Sequence, residues 1–589
     1  MKTVLSKYLR PYYGRMLLGF VIKFIGTIMD LCLPWILAYM IDTVIPQGRR
    51  NDIFVWGFVM LVCSVLALTF NVVANRMASK VARDTTETIR RDLFVKIMWL
   101  SNAKTDEFTK PSLISRLTTD TYNIQQMLGR VQRLGVRAPI LVIGGILVTL
   151  TLDPVLTLVM VSVMPVTAFV TYYFSRKSIP MYNALQRAVD QFVRLLREDI
   201  AGIRVIKALS KTDCEEQKYD DLNKKVVTLE RRADVTMAVV NPATNLFLNL
   251  GLVFVVIVGA YRVDQGTSEV GKILAFLTYF TIILNAMINI SKMFVIISRA
   301  VASADRIMEV IDVPDKMDLD QISLDQINLD QINLDQVQSV HGEQSAEEEA
   351  YIRFEHVTFS YRSAEAEPNL ADISFSLKKG ETLGIIGATG SGKSTLAALL
   401  MRFYETDQGN IYIEGEDIRS MEAGRLRERF GVVFQNDTIF EDSIAGNVRM
   451  GRTLSDADVR KAIEYARAKE FVEEAGRGYD DHINIRGANL SGGQKQRILI
   501  ARALAAKPDI LILDDSSSAL DYKTDAALRR ELAAHFADTT KLIIAQRVSS
   551  ILHADHIMVL EDGKMIGYGT HEELLEHCEV YREIRDSQM

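Results

Sequence analysis

The chain has 589 residues, too many for one ordinary domain, so two or three domains are expected. Hydrophobic residues make up 48% and charged residues 24%, but this average hides long apolar runs in the first three hundred residues and a soluble α/β pattern in the last two hundred and forty. The net charge of −6 argues against a nucleic-acid partner. The four scattered cysteines show neither a metal-ligand spacing nor a disulfide framework.

Six segments are apolar and long enough to span a bilayer, which takes about 20 residues each. At the amino terminus, basic residues precede an apolar run, as in a signal peptide. That run continues to about Ile41 without a small-residue cleavage site, so a retained membrane helix is favoured. The predicted spans are 17–41, 53–75, 134–152, 154–175, 237–261 and 273–291.

The loop charges predict the topology. Stretches 76–137 and 176–234 are long and rich in Lys and Arg, whereas the connections near 42–52, 153 and 262–271 are short. The long stretches and both termini are therefore expected in the cytosol. Their sequences look helical, which predicts membrane helices that continue well beyond the bilayer, and Asp153-Pro154 is expected to turn a hairpin between the third and fourth spans.

Between residues 312 and 350 the composition changes. The unit L-D-Q-I/V recurs every five residues over 319–337, a period that fits neither a helix face nor a strand face. The segment is expected to be an extended linker; a regulatory docking segment is the alternative. The predicted domains are thus a membrane domain over 1–311, the linker over 312–350 and a nucleotide-binding domain over 351–589.

The carboxy-terminal domain contains a phosphate-binding loop. The sequence GATGSGKST follows an apolar strand pattern and opens a helix, the context in which this motif is specific. Glycines let backbone N–H groups approach phosphates, Lys393 adds a positive charge, and the Ser394 hydroxyl suits Mg²⁺. The predicted ATP-binding residues of this loop are Gly387, Ala388, Thr389, Gly390, Ser391, Gly392, Lys393, Ser394 and Thr395.

A second motif, LSGGQ, distinguishes the chain from most other proteins with a phosphate-binding loop. With both motifs, the chain resembles an exporter half-transporter of the ATP-binding cassette (ABC) family over essentially its whole length. The resemblance implies an all-α six-helix membrane domain followed by an α/β ATPase that uses ATP and Mg²⁺. It assigns Tyr361 to adenine stacking, Asp514 and Gln435 with Ser394 to Mg²⁺, and Asp521 to the D-loop. The signature residues are Leu490, Ser491, Gly492, Gly493 and Gln494.

In this family two cassettes face each other, and each ATP on one phosphate loop is capped by the signature of the other cassette, where a helix amino terminus suits an anion. Two positions of the chain depart from the family pattern. Asp515 stands where a catalytic glutamate is usual, and Gln546 stands where a histidine usually contacts the γ-phosphate. Both changes fall on the nucleotide held by Lys393, while the signature that serves the other nucleotide is intact.

The chain therefore resembles the degenerate-site subunit of bacterial heterodimeric multidrug ABC exporters. The expected partner is a second half-transporter with the usual glutamate and histidine, in the bacterial plasma membrane. Its expected substrate is a drug, lipid or other small amphipathic compound. A homodimer with slow hydrolysis and a membrane-bound ATP-sensing regulator that transports nothing are the alternatives.

Polar residues within the spans are the candidates for a substrate cavity. Asp30 and Lys23 are seven residues apart and share a helix face; they are expected to line a cavity, to form a packing contact or, for Lys23, to reach the interface. Asparagines recur every four residues on the last two spans and are expected to face the bundle interior, where they would either line a substrate path or form hydrogen bonds between helices. They are Asn241, Asn245 and Asn249, then Asn285 and Asn289. By family resemblance, segments 110–120 and 209–220 are expected to contact the cassettes.

Overall fold

The fold is that of a computed structural model, which describes residues 2–314, 350–361 and 367–588. The repeat over 319–337 lies outside the described residues. The chain divides into two compact units: Met1–Trp99 with Thr109–Asp315, and Leu100–Phe108 with Lys316–Met589.

The described part of the first unit is almost entirely helical. Six of its helical stretches are long and apolar enough to cross a membrane, which confirms the predicted six-span class. These stretches are Ser6–Val44, Arg50–Met98, Lys110–Leu152, Pro154–Ala208, Asn245–Asp264 and Val270–Ile290. The helices are α1 (Lys2–Leu9), α2 (Tyr13–Tyr39), α3 (Arg50–Met98), α5 (Lys110–Ser115), α6 (Thr121–Arg130), α7 (Val136–Leu152), α8 (Pro154–Ala208), α9 (Thr212–Ala238), α10 (Val240–Asp264) and α11 (Val270–Ile311); α4 (Asn102–Phe108) belongs to the second unit.

Two of these helices are far longer than a bilayer requires. α3 has 49 residues and α8 has 55, which at 1.5 Å per residue gives lengths of roughly 75 and 80 Å against a hydrocarbon core of about 30 Å. The prediction that the long cytosolic stretches are helical is confirmed. On the amino-terminal part of α3 the large apolar side chains Phe54, Phe58 and Leu61 are 77%, 66% and 60% exposed, as lipid-facing residues would be.

The hairpin between the third and fourth spans forms at the predicted dipeptide. Asp153 caps α8: its Oδ1 accepts hydrogen bonds from the N–H groups of Val155 at 2.9 Å and Leu156 at 3.3 Å. Pro154 follows as the first residue of the helix, where its missing N–H costs no hydrogen bond. The second carboxylate oxygen accepts from Arg262 Nε at 3.0 Å, so this buried cap is also an ion pair.

Lys23 and Asp30 have partners that the sequence analysis did not foresee. Lys23 is only 3% exposed, and its Nζ donates to Asn75 Oδ1 at 3.0 Å, so it does not extend to the interface. Asp30 accepts from Arg137 at 2.9 Å and from Asn71 at 3.2 Å. These bonds join α2 to α3 and α7 and support the packing alternative, because polar contacts between membrane helices stabilise a bundle.

An ionic network centred on the buried Asp120 joins the start of α6 to the carboxy-terminal part of α11. Asp120, 1% exposed, accepts from Ser303 Oγ at 2.8 Å and forms an ion pair with Arg306, whose Nε lies 2.9 Å away. Arg116 donates to the carbonyl of Arg306 and to Glu309 Oε2, the latter at 2.9 Å. The network fixes the end of α11 against the start of α6.

Replacing Asp120 with alanine is expected to lower the free energy of unfolding of the membrane domain by about 2 kcal/mol, because Ser303 and Arg306 lose a charged acceptor. Thermal unfolding in detergent measures the loss. Glu87→Ala, an exposed acidic residue of α3, is the matched control and is expected to change stability by less than about 0.5 kcal/mol. Equal melting temperatures for the two variants would contradict the role given to the network.

The described part of the second unit is an α/β fold with three sheets. A four-stranded sheet has the order β2-β1-β4-β5, a six-stranded sheet the order β12-β11-β3-β10-β9-β6, and β7 pairs with β8. The strands are β1 (Ile352–Phe359), β2 (Leu370–Leu377), β3 (Thr382–Gly387), β4 (Gln408–Ile413), β5 (Glu416–Asp417), β6 (Phe430–Val433), β7 (Asp442–Ser443), β8 (His482–Ile483), β9 (Ile510–Asp514), β10 (Thr540–Ile544), β11 (His556–Glu561) and β12 (Lys564–Gly569). Its helices after the linker are α12 (Lys393–Leu400), α13 (Ala423–Glu428), α14 (Ile444–Arg449), α15 (Asp456–Tyr465), α16 (Lys469–Glu474), α17 (Gly492–Leu504), α18 (Tyr522–His535), α19 (His571–His577) and α20 (Glu579–Asp586).

Helices and strand neighbours cover the central strands of the six-stranded sheet. All five residues of β9 are buried, which explains why its sequence is an uninterrupted apolar run ending in an aspartate. β3, β10, β9 and β6 are parallel neighbours. Their carboxyl ends therefore lie at one edge of the sheet, where the residues that follow each strand come together.

Candidate nucleotide site

Four chain segments meet at the carboxyl edge of the six-stranded sheet. The phosphate-binding loop follows β3, Gln435 lies two residues after β6, Asp515 follows β9, and Gln546 lies two residues after β10. These motifs are up to about 160 residues apart in the sequence and become neighbours because their strands are adjacent.

The phosphate-binding loop turns sharply into α12. Gly392, the residue before the helix, has φ +97°, and a Cβ there would lie 2.6 Å from Leu370 Cδ2 and 2.7 Å from the carbonyl oxygen of Asn369. Only glycine fits this position. Lys393 Nζ donates to the carbonyl oxygens of Gly387 at 2.9 Å and Ala388 at 2.6 Å, so its charge lies within the loop.

Asp514, the last residue of β9, is the more buried of the two aspartates, at 5% exposure. Burial raises its pKa, and hydrogen bonds from the Ser394 hydroxyl and the Gln435 backbone oppose that shift. Burial lowers the pKa of Lys393, against the attraction of Asp514 and Asp515. Among the three predicted Mg²⁺ ligands, Asp514 therefore contacts the Ser394 hydroxyl and the backbone of Gln435.

Asp515 has an unusual backbone conformation. Its φ is +51°, in the left-handed region, which aspartate tolerates better than most residues other than glycine and asparagine. Its N–H donates to the carbonyl of Ile544 at 2.9 Å, which ties the end of β9 to the end of β10. Its Oδ2 accepts from Gln546 Nε2 at 2.9 Å. The two residues that depart from the family pattern thus bond to each other.

Burial raises the pKa of Asp515, and a hydrogen bond from the Gln435 side chain and the positive charges of Lys393 and Arg547 oppose that shift. Burial outweighs these contacts, so the pKa of Asp515 stays above its usual range. With its oxygens engaged by two glutamine side chains, this carboxylate is held at the sheet edge.

The loop that carries Gln546 is held by the carboxy-terminal end of the chain, which the sequence analysis missed. Gln588 Nε2 donates to the carbonyl of Gln546 at 2.7 Å, and Gln588 Oε1 accepts from the N–H of Val548 at 2.8 Å. The hydroxyls of Ser550 and Ser517 are 3.1 Å apart, which links this loop to the residues after Asp515. A lone glutamine near a chain end carries no motif that could have revealed this contact.

Tyr361 lies at the other end of the phosphate-binding loop. Its side chain is 48% exposed, and its hydroxyl donates to Thr395 Oγ1 at 3.2 Å. The ring packs edge-on against Phe359 with 4.9 Å between centroids. This leaves an aromatic surface accessible beside the first turn of α12.

The signature residues begin α17. Ser491 is the N-cap residue: its hydroxyl accepts from the N–H of Gln494 at 3.3 Å, and its own N–H donates to Gln494 Oε1 at 2.9 Å. This reciprocal capping box leaves the amides of Gly492 and Gly493 at the exposed amino terminus of a helix, where an anion is stabilised. Leu490 packs against the core below.

Asp521, the predicted D-loop aspartate, also caps a helix. Its Oδ1 accepts from the N–H of Thr524 at 2.8 Å at the start of α18, and its Oδ2 accepts from the Thr524 hydroxyl at 2.9 Å. The backbone hydrogen bond from Thr524 and the one from its hydroxyl hold the pKa of Asp521 below its usual range.

The asparagine stripes of the last two spans lie largely at the surface of the single chain. Asn245, Asn249 and Asn285 are exposed and Asn289 is half-buried. The side chain of Asn241 lies outside the described residues. The expectation that the stripes face the bundle interior rather than lipid stays a prediction, because the bundle of a half-transporter includes the helices of a second chain.

One of these asparagines borders a groove between α10 and α11. The groove has a volume of about 670 Å³, and its lining is mostly apolar. Asn249, Thr278 and Thr281 are its polar residues, and the rest are Leu252, Val253, Val256, Ile257, Leu277 and Ile282.

Comparison with known proteins identifies the family. Residues 16–287 match the ABC transporter transmembrane region, and residues 370–518 match the ABC transporter domain. An ABC transporter ATP-binding protein of Bacillus subtilis, YfiB, is 32% identical over 589 residues, which cover 100% of this chain and 98% of that protein. The chain is an ABC transporter.

Other relatives of the transporter agree in length as well as in sequence. The ABC transporter ATP-binding protein Rv1273c of Mycobacterium tuberculosis is 30% identical, with 100% of this chain and 98% of that protein covered. The solved structure of a bacterial Atm1-family ABC exporter with ATP bound is similar in fold, with a TM-score of 0.76, 23% identity and coverage of 100% of this chain and 99% of that chain. The transporter is thus a multi-pass membrane protein of exporter fold whose cytosolic domain is an ABC ATPase.

Proposed function

We propose that this transporter is one half of a heterodimeric, ATP-driven exporter in the bacterial plasma membrane and that its own phosphate loop holds the slower of two nucleotide sites. One observation carries the proposal. Asp515 and Gln546, which replace the usual glutamate and histidine, bond to each other beside Lys393, whereas Ser491 and Gln494 form an intact signature cap.

The bond between Asp515 and Gln546 supports slow hydrolysis at this site. Aspartate is one methylene shorter than glutamate, and its Oδ2 is already engaged by Gln546 Nε2 at 2.9 Å. The Asp515 carboxylate would therefore lie too far from the water that it must activate. Misplacement of a reacting group by about 1 Å can cost about 100-fold in rate.

The other residues at the sheet edge are suited to binding nucleotide. We assign the backbone amides of 387–395 and the ammonium of Lys393 to the phosphates, and Tyr361 to the adenine. Ser394, Gln435 and Asp514 offer a hydroxyl, an amide and a carboxylate oxygen, a donor set that fits Mg²⁺, and Asp514 contacts the Ser394 hydroxyl and the Gln435 backbone. When bound, Mg²⁺ would neutralise phosphate charge there.

The signature serves the second nucleotide, held by the partner. Ser491 would place its hydroxyl and the amides of Gly492 and Gly493 at the γ-phosphate on the partner's loop. Because the capping box fixes Ser491 from both sides, these donors are held in place before the two cassettes close.

A small amphipathic substrate fits the membrane domain. The groove beside Asn249 combines an amide and two threonine hydroxyls with six apolar side chains, the pattern of a pocket for a largely apolar compound. Asn245, Asn285 and Asn289 are the other proposed polar contacts for substrate, whereas the bonds of Asp30 to Arg137 and Asn71 assign it to helix packing. Membrane lipids surround the exposed apolar face.

The transporter purified alone in lipid is expected to hydrolyse ATP at only a small fraction of the rate shown by the same chain co-expressed with a half-transporter that carries the glutamate and the histidine. Activity arises only when an intact signature meets a competent catalytic site. The measurement is steady-state phosphate release at equal cassette concentration. Robust turnover by this chain alone would favour a homodimer, and ATP binding without nucleotide-dependent transport by the pair would favour a regulatory ATP sensor.

A further inference from the structure

One side chain makes two hydrogen bonds to the backbone of the loop that carries Gln546. Gln588 lies two residues after the end of α20. Its Nε2 donates to the carbonyl of Gln546 at 2.7 Å, and its Oε1 accepts from the N–H of Val548 at 2.8 Å. A single amide thus pairs with backbone groups two residues apart, the pattern in which a residue of a parallel strand pairs with its neighbour.

The helix before Gln588 is anchored in the core that also packs against this loop. Tyr581 of α20 is fully buried, and its hydroxyl lies 2.7 Å from Nδ1 of His571. Tyr581 belongs to the same hydrophobic cluster as Ala545 and Val548, which lie on either side of residues 546 and 547. Because closely packed cores move little, α20 is held in place beside the loop that Gln588 contacts.

Gln546 is held both at its backbone and at its side chain. Its carbonyl accepts from Gln588, while its Nε2 donates to Asp515 Oδ2 at 2.9 Å. The amide nitrogen of a glutamine carries two N–H groups, so Gln546 can keep its bond to Asp515 and still donate a second one. In the proposed nucleotide site, the acceptor of that second bond would be the γ-phosphate, the part of ATP that ADP lacks.

Arg529 of α18 holds a later part of the same loop. Its Nη1 donates to the carbonyl of Ser549 at 2.8 Å. This contact fixes the backbone three residues after Gln546, whereas Gln588 bonds to Gln546 itself. The contact with Gln588 therefore acts directly on the position of the Gln546 side chain.

We propose that Gln588 is a positioning residue for recognition of the γ-phosphate and that, by fixing the backbone of Gln546, it helps this chain's own nucleotide site to distinguish ATP from ADP. With Gln588 bonded, Gln546 needs no reordering before it donates to the phosphate. Without that bond, the loop must be ordered when ATP binds, which lowers the affinity for ATP. The inference rests on the proposed function, which has ATP on this chain's phosphate loop, and on a γ-phosphate contact for Gln546, but not on how fast the site hydrolyses ATP.

Equilibrium binding by the full-length transporter in lipid nanodiscs tests this role. For each variant, Kd is measured for a non-hydrolysable ATP analogue and for ADP, both with Mg²⁺; the ratio of the two values is the preference for the γ-phosphate. Gln588→Ala is expected to weaken binding of the analogue about fivefold, the effect of losing about one net hydrogen bond, and to change the Kd of ADP by less than about twofold. Because Gln588 is exposed, its truncation leaves no buried cavity, and the variant is expected to fold.

Matched variants separate positioning from simple structural support. Gln588→Glu has nearly the same size but places a carboxylate oxygen against the carbonyl of Gln546, so it is expected to lose at least as much of the preference as Gln588→Ala. Ser587→Ala removes a hydroxyl that donates to the carbonyl of Ile584 at 2.7 Å, and it is expected to keep the full preference. An unchanged preference in Gln588→Ala, its restoration in Gln588→Glu, or an equal loss of affinity for ADP would each overturn the proposal.

Gln546→Ala distinguishes this inference from the γ-phosphate contact on which it rests. Gln546→Ala is expected to lower the preference at least as much as Gln588→Ala does, and adding Gln588→Ala to it is expected to change nothing further, since the two residues act in series. If Gln546→Ala lowered the preference and Gln588→Ala did not, the γ-phosphate contact would stand and the role of Gln588 would be wrong. If Gln546→Ala kept the preference, the γ-phosphate contact would be wrong and the inference would fall with it.

Discussion

Replacing the catalytic glutamate of the proposed partner with glutamine is expected to lower ATP hydrolysis by the pair about 100- to 10,000-fold, the usual cost of removing a catalytic base. Asp515→Ala in this chain is expected to change the same rate by less than about twofold. The asymmetry follows from the site geometry: Asp515 is bonded to Gln546 and serves a nucleotide that already turns over slowly. The measurement is the steady-state ATPase rate in lipid, with trapped nucleotide assigned to each chain.

The converse variant sharpens this test. Asp515→Glu combined with Gln546→His is expected to raise hydrolysis at this chain's own site, provided that the partner's signature can close on it. The left-handed backbone at residue 515, φ +51°, is less favourable for glutamate and limits the gain. If Asp515→Ala lowered ATP hydrolysis as much as the substitution of the partner's glutamate does, Asp515 would be a true catalytic base and the slow-site proposal would be wrong.

Ser491→Ala in this chain is expected to lower hydrolysis by the pair about 100-fold, the typical cost of removing one preorganised donor to a developing negative charge. The serine hydroxyl lies at the amino terminus of α17 and is proposed to contact the partner's γ-phosphate. Its loss therefore damages the faster site, although it lies on the chain that holds the slower one. The measurement is kcat at saturating ATP.

Loss of a helix cap is a competing explanation for this effect. Ser455 is a matched control, since its hydroxyl caps α15 by accepting from the N–H of Asp458 at 3.1 Å, as Ser491 caps α17 at 3.3 Å. Ser455→Ala is expected to cost stability but to leave kcat within about twofold. Similar losses of kcat in both variants would show that Ser491 acts only as a cap.

The family, the six spans and the ATPase domain could be predicted from the sequence because each rests on local chemistry. A membrane span needs about 20 apolar residues in a row, and the phosphate-binding loop needs glycines at fixed offsets, as the steric fit of Gly392 illustrates. The buried strand that ends at Asp514 could also be predicted from the sequence, since a parallel central strand is a continuous apolar run. Such features are complete within a short stretch of chain.

The tertiary structure alone decided which polar residues become partners. Asp30 pairs with Arg137, 107 residues later, and Gln588 holds the loop of Gln546. Asp106 bonds to Tyr404, 298 residues later, within the second unit. Spacing predicts neighbours only within one helix or strand, where the period is fixed. Contacts between elements depend on how whole helices and sheets pack, and a single hydrogen bond between distant residues leaves no pattern in the sequence.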